Sequence, residues 1–226
     1  MSQSVRSPIL RRMARRKRYG TFAVRIYRAL IDPLLSPLRP KIVRICREAG
    51  ARNVLDIASA TGAQSRALGR AGIRATGIDL SEEMVQIAQR IGGRNVHHVR
   101  GSAYDLPFED GSFDASLLLL ALHEHTEAER VAMLSEALRV VRPAGCLILA
   151  DYTPPRHTTL HLPWQVIRLI EGTAGPEHSA GFRDFVSRGA LDGLIDRNRL
   201  GVLARTKALF GSIGIVSVAP PDAGTP

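Results

Sequence analysis

Two carboxylates spaced for one ligand are the first residues in this sequence that suggest chemistry. Asp56 sits at the end of the apolar run VLDI and is followed by the small residues Ala58, Ser59, Ala60 and Gly62, after which the pattern turns helical. A second acid, Asp79, closes the next strand-like run, RATGID. It lies about twenty residues on, the spacing at which a strand-end carboxylate can accept both hydroxyls of a ribose. Small residues let the backbone approach a nucleoside, and a helix starting near Gly62 and Ala63 offers free amides to a carboxylate. Ala58 and Ala60 occupy positions where glycine would be easier, since a methyl group opposes positive φ and adds about one carbon's thickness beside a ligand. A dinucleotide is poorly served by this loop, because its pyrophosphate needs glycines around it.

The elements that must hold these acids follow from the pattern. Strands are expected at 53–57, 74–79, 96–99, 113–121 and 146–152, with helices at 63–71, 82–91 and 127–141. Strands alternating with helices imply parallel pairing and an α/β domain of three layers, and a run such as LLLLAL suits a strand covered on both faces. In such a sheet, ligands sit beyond the carboxyl ends of the strands where strand order reverses. Two helices precede the first strand, TFAVRIYRALIDPLL and PLRPKIVRICREAG, the second entered through Pro40 and closed by Gly50. The segment from about 153 to 198 breaks the alternation and reads as a helical insertion after the fifth strand. Strand candidates near 201–208 and 212–218 complete the sheet.

Length and composition bound the rest. The 226 residues suit one core, and with 45% hydrophobic and 23% charged residues the chain is ordinary for a globular protein. No apolar run approaches the roughly eighteen residues that span a bilayer. Cys46 and Cys146 have no metal-ligand spacing and are expected as buried free thiols in a reducing compartment. The formal charge of +10 is local: residues 1–31 carry nine Arg or Lys and no acid, leaving 22 basic against 21 acidic groups elsewhere. Such an arm suits an anionic membrane surface or nucleic acid, and an organellar targeting sequence or a simple solvated tail has the same composition. The expected layout is a basic arm at 1–18, one domain at 19–219 and a disordered tail at 220–226.

Four blocks, VLDIASATG, ATGIDLSEEMVQIAQ, GSAYDLPFEDGSFDAS and LSEALRVVRPAGCLILADY, occur in order over roughly residues 50–152. In these blocks the chain resembles the class I S-adenosylmethionine-dependent methyltransferases, of the small type that includes the ubiquinone and menaquinone biosynthesis C-methyltransferases. The resemblance implies a Rossmann-like, seven-stranded, mostly parallel sheet with helices on both faces, and S-adenosyl-L-methionine as cofactor. It implies that Asp56 holds the methionine ammonium through water, that Ala58, Ser59, Ala60 and Gly62 line the methionine and ribose, and that Asp79 takes the ribose hydroxyls. Leu80 or Met84 would cover the adenine. Ser102, where the family often has an acid, would accept from the adenine amino group, and the Ala103 amide would meet a ring nitrogen.

A sulfonium donor is already activated, so the protein chiefly aligns the reactants and excludes water, and a general base is needed only if the acceptor must lose a proton. His123, Glu124 and His125 follow the fourth strand and Tyr152 ends the fifth. His123 is the expected catalytic group, and equally reads as a structural cap on the strand end. Tyr27, Tyr152, His157, Trp164, His178 and Arg183 are the further candidates to face an acceptor, although Trp164, Ile167, Ile170 and Glu171 also fit a packing stripe. A Leu, Ile and Trp-bearing lid beside a basic entry helix favours an apolar lipid or quinone-like acceptor met at a membrane surface, in a cytoplasmic protein peripheral to the membrane. Nucleic acid is the weaker partner, because LALHEH stands where amino-methylating nucleic-acid enzymes carry Asn/Asp-Pro-Pro-aromatic; RNA methylation through the arm remains an alternative. A non-catalytic subunit that keeps the fold to bind a partner is the other.

Overall fold

A computed structural model of the protein describes residues 32–155 and 161–220. Tyr27, His157, the basic arm and nearly all of the 220–226 tail lie outside the described residues. After a helical turn at Asp32–Leu34 the order is α1 (Leu38–Glu48), β1 (Asn53–Ile57), α2 (Ala63–Arg70), β2 (Arg74–Asp79), α3 (Glu82–Ile91), β3 (Val96–Arg100), β4 (Phe113–Leu119), α4 (Glu127–Arg139) and β5 (Val141–Tyr152). Then come α5 (Leu162–Thr173), α6 (Pro176–Ser187), α7 (Ala190–Arg197), β6 (Val202–Ala208) and β7 (Ile213–Val218).

The strands form one seven-stranded sheet in the order β3-β2-β1-β4-β5-β7-β6. The first five are parallel, while β7 runs antiparallel to β5 and to β6. Strand order reverses between β1 and β4, which leaves a crevice beyond their carboxyl ends. Side chains alternate between the faces. Leu55, Leu147, Leu149 and Val216 join the core under α4 and α7, and Val54, Cys146, Ile148 and Ile215 join the core under α1 and α2. Both faces are thus covered, as the apolar runs of β1, β4 and β5 require.

Local chemistry sets the helix ends. Ser81 caps α3 by accepting from the Met84 amide, and Thr126 with Glu129 forms a capping box at α4. At the end of α1, the amides of Gly50 and Ala51 reach back to Arg47 and Cys46, with Gly50 at φ 66° in the left-handed region. Helix α1 begins at Leu38, two residues before Pro40, because Pro is tolerated anywhere in the first turn. Strand β4 stops at Leu119, short of Ala121: Leu120 takes φ 52° and the chain folds into a 3-10 turn at Leu122–Glu124. Strand β5 starts at Val141, five residues early, with a register shift opposite Phe113 and Ala115 that accommodates Pro143. Cys46 and Cys146 are buried and free, and burial pushes the Cys46 thiol up to about 12.

Helices α5 to α7 are clamped to the rest by Arg130, fully buried on α4. Its guanidinium donates to the carbonyls of Leu122 (3.0 Å) and Gly181 (2.9 Å), pairs with Asp184 (2.7 Å) and Glu127 (3.1 Å), and lies 5.0 Å from the centre of the Phe185 ring. The clamp thereby ties the 122–124 turn to α6. Arg130→Ala should lower the unfolding free energy in urea by about 3–5 kcal/mol; a loss below about 1 kcal/mol would show that the clamp carries no such weight.

Candidate functional site

At the carboxyl edge of the sheet, three strand-end carboxylates capture backbone and side-chain donors of the adjoining loops. Asp56 Oδ2 accepts from Ser65 Oγ at 2.6 Å. Asp79 Oδ2 accepts from the Ala60 amide at 2.8 Å and Oδ1 from the Ser81 amide at 2.8 Å. Asp151 Oδ2 accepts from the amides of Leu122 (3.0 Å) and His123 (3.3 Å), and Oδ1 from the Tyr152 amide (2.8 Å). Burial raises the pKa of Asp56 to about 6 against the opposing hydrogen bonds of Ser65, and burial likewise raises Asp79.

The loop after β1 resolves the question posed by its alanines. Ala58 (φ 56°), Ala60 (φ 47°) and Gly62 (φ 72°) all occupy the left-handed region. That conformation costs an alanine about 1–2 kcal/mol. The Ala60 amide, fixed on Asp79, is one contact that holds the loop there. Gly62 has a second reason to be glycine, since a Cβ would lie 2.2 Å from Cε1 of His98. His98 is buried on β3 beneath the loop, and burial lowers its pKa to about 4.

The residues around this loop suit an aminoacyl nucleoside. A narrow cleft of about 60 Å³ is lined by Asp56, Ala58, Ser59, Thr61, Gln64 and Leu120. Gln64 Nε2 is buried in its wall with no hydrogen-bond partner among the described residues, and Gly62 gives the start of α2 no side-chain cap, although the Ser65 amide acts on Asp56. The Gln64 amide and the remaining first-turn amides can donate to a carboxylate. The Leu80 amide also acts on Asp79, and of the roughly four acceptor positions of a carboxylate this leaves capacity for a ribose hydroxyl. Leu80 is half-buried and lines a second cleft of about 620 Å³ with Tyr104, Glu124, His125 and Gly181. Met84 is buried on α3. Ser102 Oγ accepts from the Tyr104 amide at 3.2 Å, and Ala103, half-buried beside it, packs on the core. Ser102 is thus engaged in its own turn.

Beyond β4 and β5, the insertion brings His123, Tyr152, Trp164 and His178 together with Glu171. His123 Nδ1 lies 2.9 Å from Asp151 and its Nε2 3.5 Å from Glu171. His178 Nε2 contacts the same Glu171 oxygen, while its Nδ1 lies 3.0 Å from Glu124. The Tyr152 hydroxyl donates to Glu171 Oε1 at 2.6 Å. Burial alone would lower His123, but the Asp151 charge and hydrogen bond, then Glu171 and Glu124, outweigh it and raise its pKa. His178 rises to about 9 because its hydrogen bonds to Glu124 and Glu171 overcome burial. Trp164 packs on Phe182 and Tyr152 in a small apolar cluster, as the stripe reading expects. Arg183 is exposed on α6 and has no bond to the group. Asp151, Ser65, Gln64 and His98 were not singled out by sequence reasoning, although Asp151 ends a strand just as Asp79 does, and Glu171 was read only as part of a packing stripe. Gly181 permits the close approach of α6, for a Cβ there would sit 2.6 Å from the Glu124 carbonyl.

The sheet order and the strand-end acids define a Rossmann-like α/β fold with a crevice where strand order reverses. Residues 54–145 match the sequence model of a methyltransferase domain. A demethylmenaquinone methyltransferase of Tropheryma whipplei (strain Twist) is 38% identical over 104 residues, covering 46% of this chain and 43% of that protein. The chain therefore spans less than half of that relative's length. Among solved structures, a protein of Pyrococcus horikoshii OT3 is similar with a TM-score of 0.63 and 23% identity, over 86% of this chain and 91% of that one. The magnesium protoporphyrin IX methyltransferase of Synechocystis PCC 6803, solved with bound SAH, gives a TM-score of 0.57 and 19% identity over 93% and 92%. At these identities the structural likeness establishes the fold.

Two outcomes are expected at the loop. Ala60→Gly should leave stability unchanged or raise it by up to about 1 kcal/mol, strain relief offsetting the added freedom of the unfolded chain. Gly62→Ala should lower it by more than about 2 kcal/mol. Urea melts of the two variants check both, and a destabilised Ala60→Gly would remove strain as the description of this loop. If Asp56 receives the ammonium group of an aminoacyl nucleoside, affinity for that ligand should fall with acidity, because the ionised carboxylate attracts the ammonium and the protonated acid does not. Below the free-state value of about 6 the fall approaches tenfold per pH unit, and calorimetry should find that dependence gone in Asp56→Asn.

Proposed function

We propose that the chain transfers the methyl group of S-adenosylmethionine to a small, apolar, quinone-like acceptor at a membrane surface. The observation that carries the cofactor part is Asp79, a strand-end carboxylate tied through the Ala60 amide to the loop over the sheet edge and keeping acceptor capacity for a ribose hydroxyl. Asp56 would attract the methionine ammonium, Gln64 and the α2 amides its carboxylate, and Ser102, Ala103, Leu80 and Met84 would border the adenine. The cofactor, when bound, supplies an electrophilic methyl carbon. The chain's residues would align the acceptor and exclude water.

Two observations support the acceptor. The similar protein of Tropheryma whipplei is named for methylating demethylmenaquinone. Helix α5 also leaves Leu162 (74% exposed), Val166 and Leu169 bare on one side, near Phe210 (84% exposed), whose carbonyl meets His161. Such an exposed apolar stripe fits an interfacial helix. No helix among the described residues is long and apolar enough to cross a membrane. Should the acceptor have to lose a proton, the linked Tyr152, Glu171 and His123 would receive it. His157, Tyr27, Trp164, His178 and Arg183 complete the acceptor side of this proposal.

The test is to incubate the purified full chain and methyl-labelled cofactor with demethylmenaquinone in anionic vesicles, with a total lipid extract and with RNA. Label is expected in the quinone, and in chain lacking residues 1–18 salt-sensitive vesicle binding should be lost while cofactor affinity holds. Label in RNA would favour the arm as an RNA contact, and absence of both label and cofactor binding would favour a non-catalytic subunit. His123→Ala should slow turnover by about 100-fold or more with little change in cofactor affinity; unchanged turnover would leave His123 a purely structural role.

A further inference from the structure

The group beyond β4 and β5 has the composition of a metal centre. His123, Glu171 and His178 each offer one donor atom, and the three atoms lie within 4.8 Å of one another. Two imidazoles and a carboxylate are a recurrent donor set for Zn²⁺ in open, three-ligand sites, and for other divalent transition metals. A four-coordinate Zn²⁺ sits about 2.0–2.2 Å from such donors, which requires them roughly 3.3 Å apart. His123 Nε2 already stands 3.5 Å from Glu171 Oε2, and His178 Nε2 needs only to draw back from the same oxygen.

What separates this trio from a chance cluster is the shell behind it. Ligating imidazoles characteristically give their second nitrogen to a carboxylate, which fixes the tautomer and ring orientation. Here both do: His123 Nδ1 faces Asp151 at 2.9 Å and His178 Nδ1 faces Glu124 at 3.0 Å. The second oxygen of Glu171 is held by the Tyr152 hydroxyl at 2.6 Å. Asp151 is in turn anchored by three backbone amides. Three carboxylates therefore converge on two imidazoles in a place where two of those acids, Asp151 and Glu171, are buried. Without a metal those carboxylates are balanced by protons on the two imidazoles, which a divalent cation can displace. Glu124, the carboxylate behind His178, lines the cleft of about 620 Å³.

We infer that His123 Nε2, Glu171 Oε2 and His178 Nε2 bind one divalent transition-metal ion of the Zn²⁺ type, with a coordination position left open. The ion joins the turn after β4 to α5 and α6, so it locks the insertion onto the sheet edge and sets a Lewis acid at the rim of the crevice. The ligands are residues the proposed function places on the acceptor side, but metal binding is measured without methyl transfer, and S-adenosylhomocysteine binding on the same samples reports separately on the cofactor reading.

The experiment uses the full chain dialysed against EDTA, exchanged into chelator-free buffer and titrated with ZnCl₂ by calorimetry. One equivalent per chain is expected, with a rise in melting temperature that EDTA reverses. His178→Ala and the isosteric Glu171→Gln should each weaken binding by about 100-fold or more, while S-adenosylhomocysteine binding shows that they are folded. Failure of the intact chain to take up an equivalent overturns the site, as does unchanged affinity in the two folded variants. Should both variants fail to fold, the intact chain loaded with Co²⁺ decides: intense visible bands of a four-coordinate site support it, and the weak bands of the hydrated ion overturn it.

Discussion

A parallel sheet ends in loops whose amides have no strand to pair with, and in this protein carboxylates at the strand ends take them up. Asp79 receives Ala60 and Ser81, and Asp151 receives Leu122, His123 and Tyr152. A buried acid is costly unless it is bonded, so each acid and its loop stabilise one another. The arrangement forces the chain into shapes it would otherwise avoid, with Ala58, Ala60 and Leu120 all left-handed. Strain of this kind persists where surrounding contacts over-determine it, and it gathers at sites.

The same contacts explain why the two halves of the crevice differ in character. On the β1 and β2 side the acids keep acceptor capacity, next to a Gln64 amide without a partner among the described residues and a start of α2 without a side-chain cap. On the β4 and β5 side the insertion has closed over the strand ends, and imidazoles and carboxylates satisfy one another with little exposure to water. Arg130 and Gly181 keep it closed, the first by bonding and the second by lacking a side chain.

Much of this was legible in the sequence. The alternation of apolar runs with amphipathic segments placed the strands and the parallel order, and the acid ending each of the first two strands marked the loops over the sheet edge. The insertion after β5 was visible as a loss of that rhythm around Pro154, Pro155 and Pro163. What was not legible depended on distance through space. Glu171 lies in the apolar stripe WQVIRLIE, and only the packing of α5 against β5 shows that it meets Tyr152, His123 and His178. Asp151 obeyed the rule that revealed Asp79 but carried no small-residue loop to draw notice. His98 is one of two adjacent histidines in a short strand, and its place under Gly62 follows from the register of β3 on β2. The sign of φ at Ala58 and Ala60 has no signature in residue type, since alanine ordinarily argues against it.

The most direct measurement of the central claim is an amide-resolved NMR titration of the intact chain with S-adenosylhomocysteine. If the strand-end acids and the left-handed loop form the nucleoside seat, the perturbed amides will cluster at residues 58–65, 79–81 and 102–104. Perturbations confined to the insertion, or none at saturating ligand, would contradict the account.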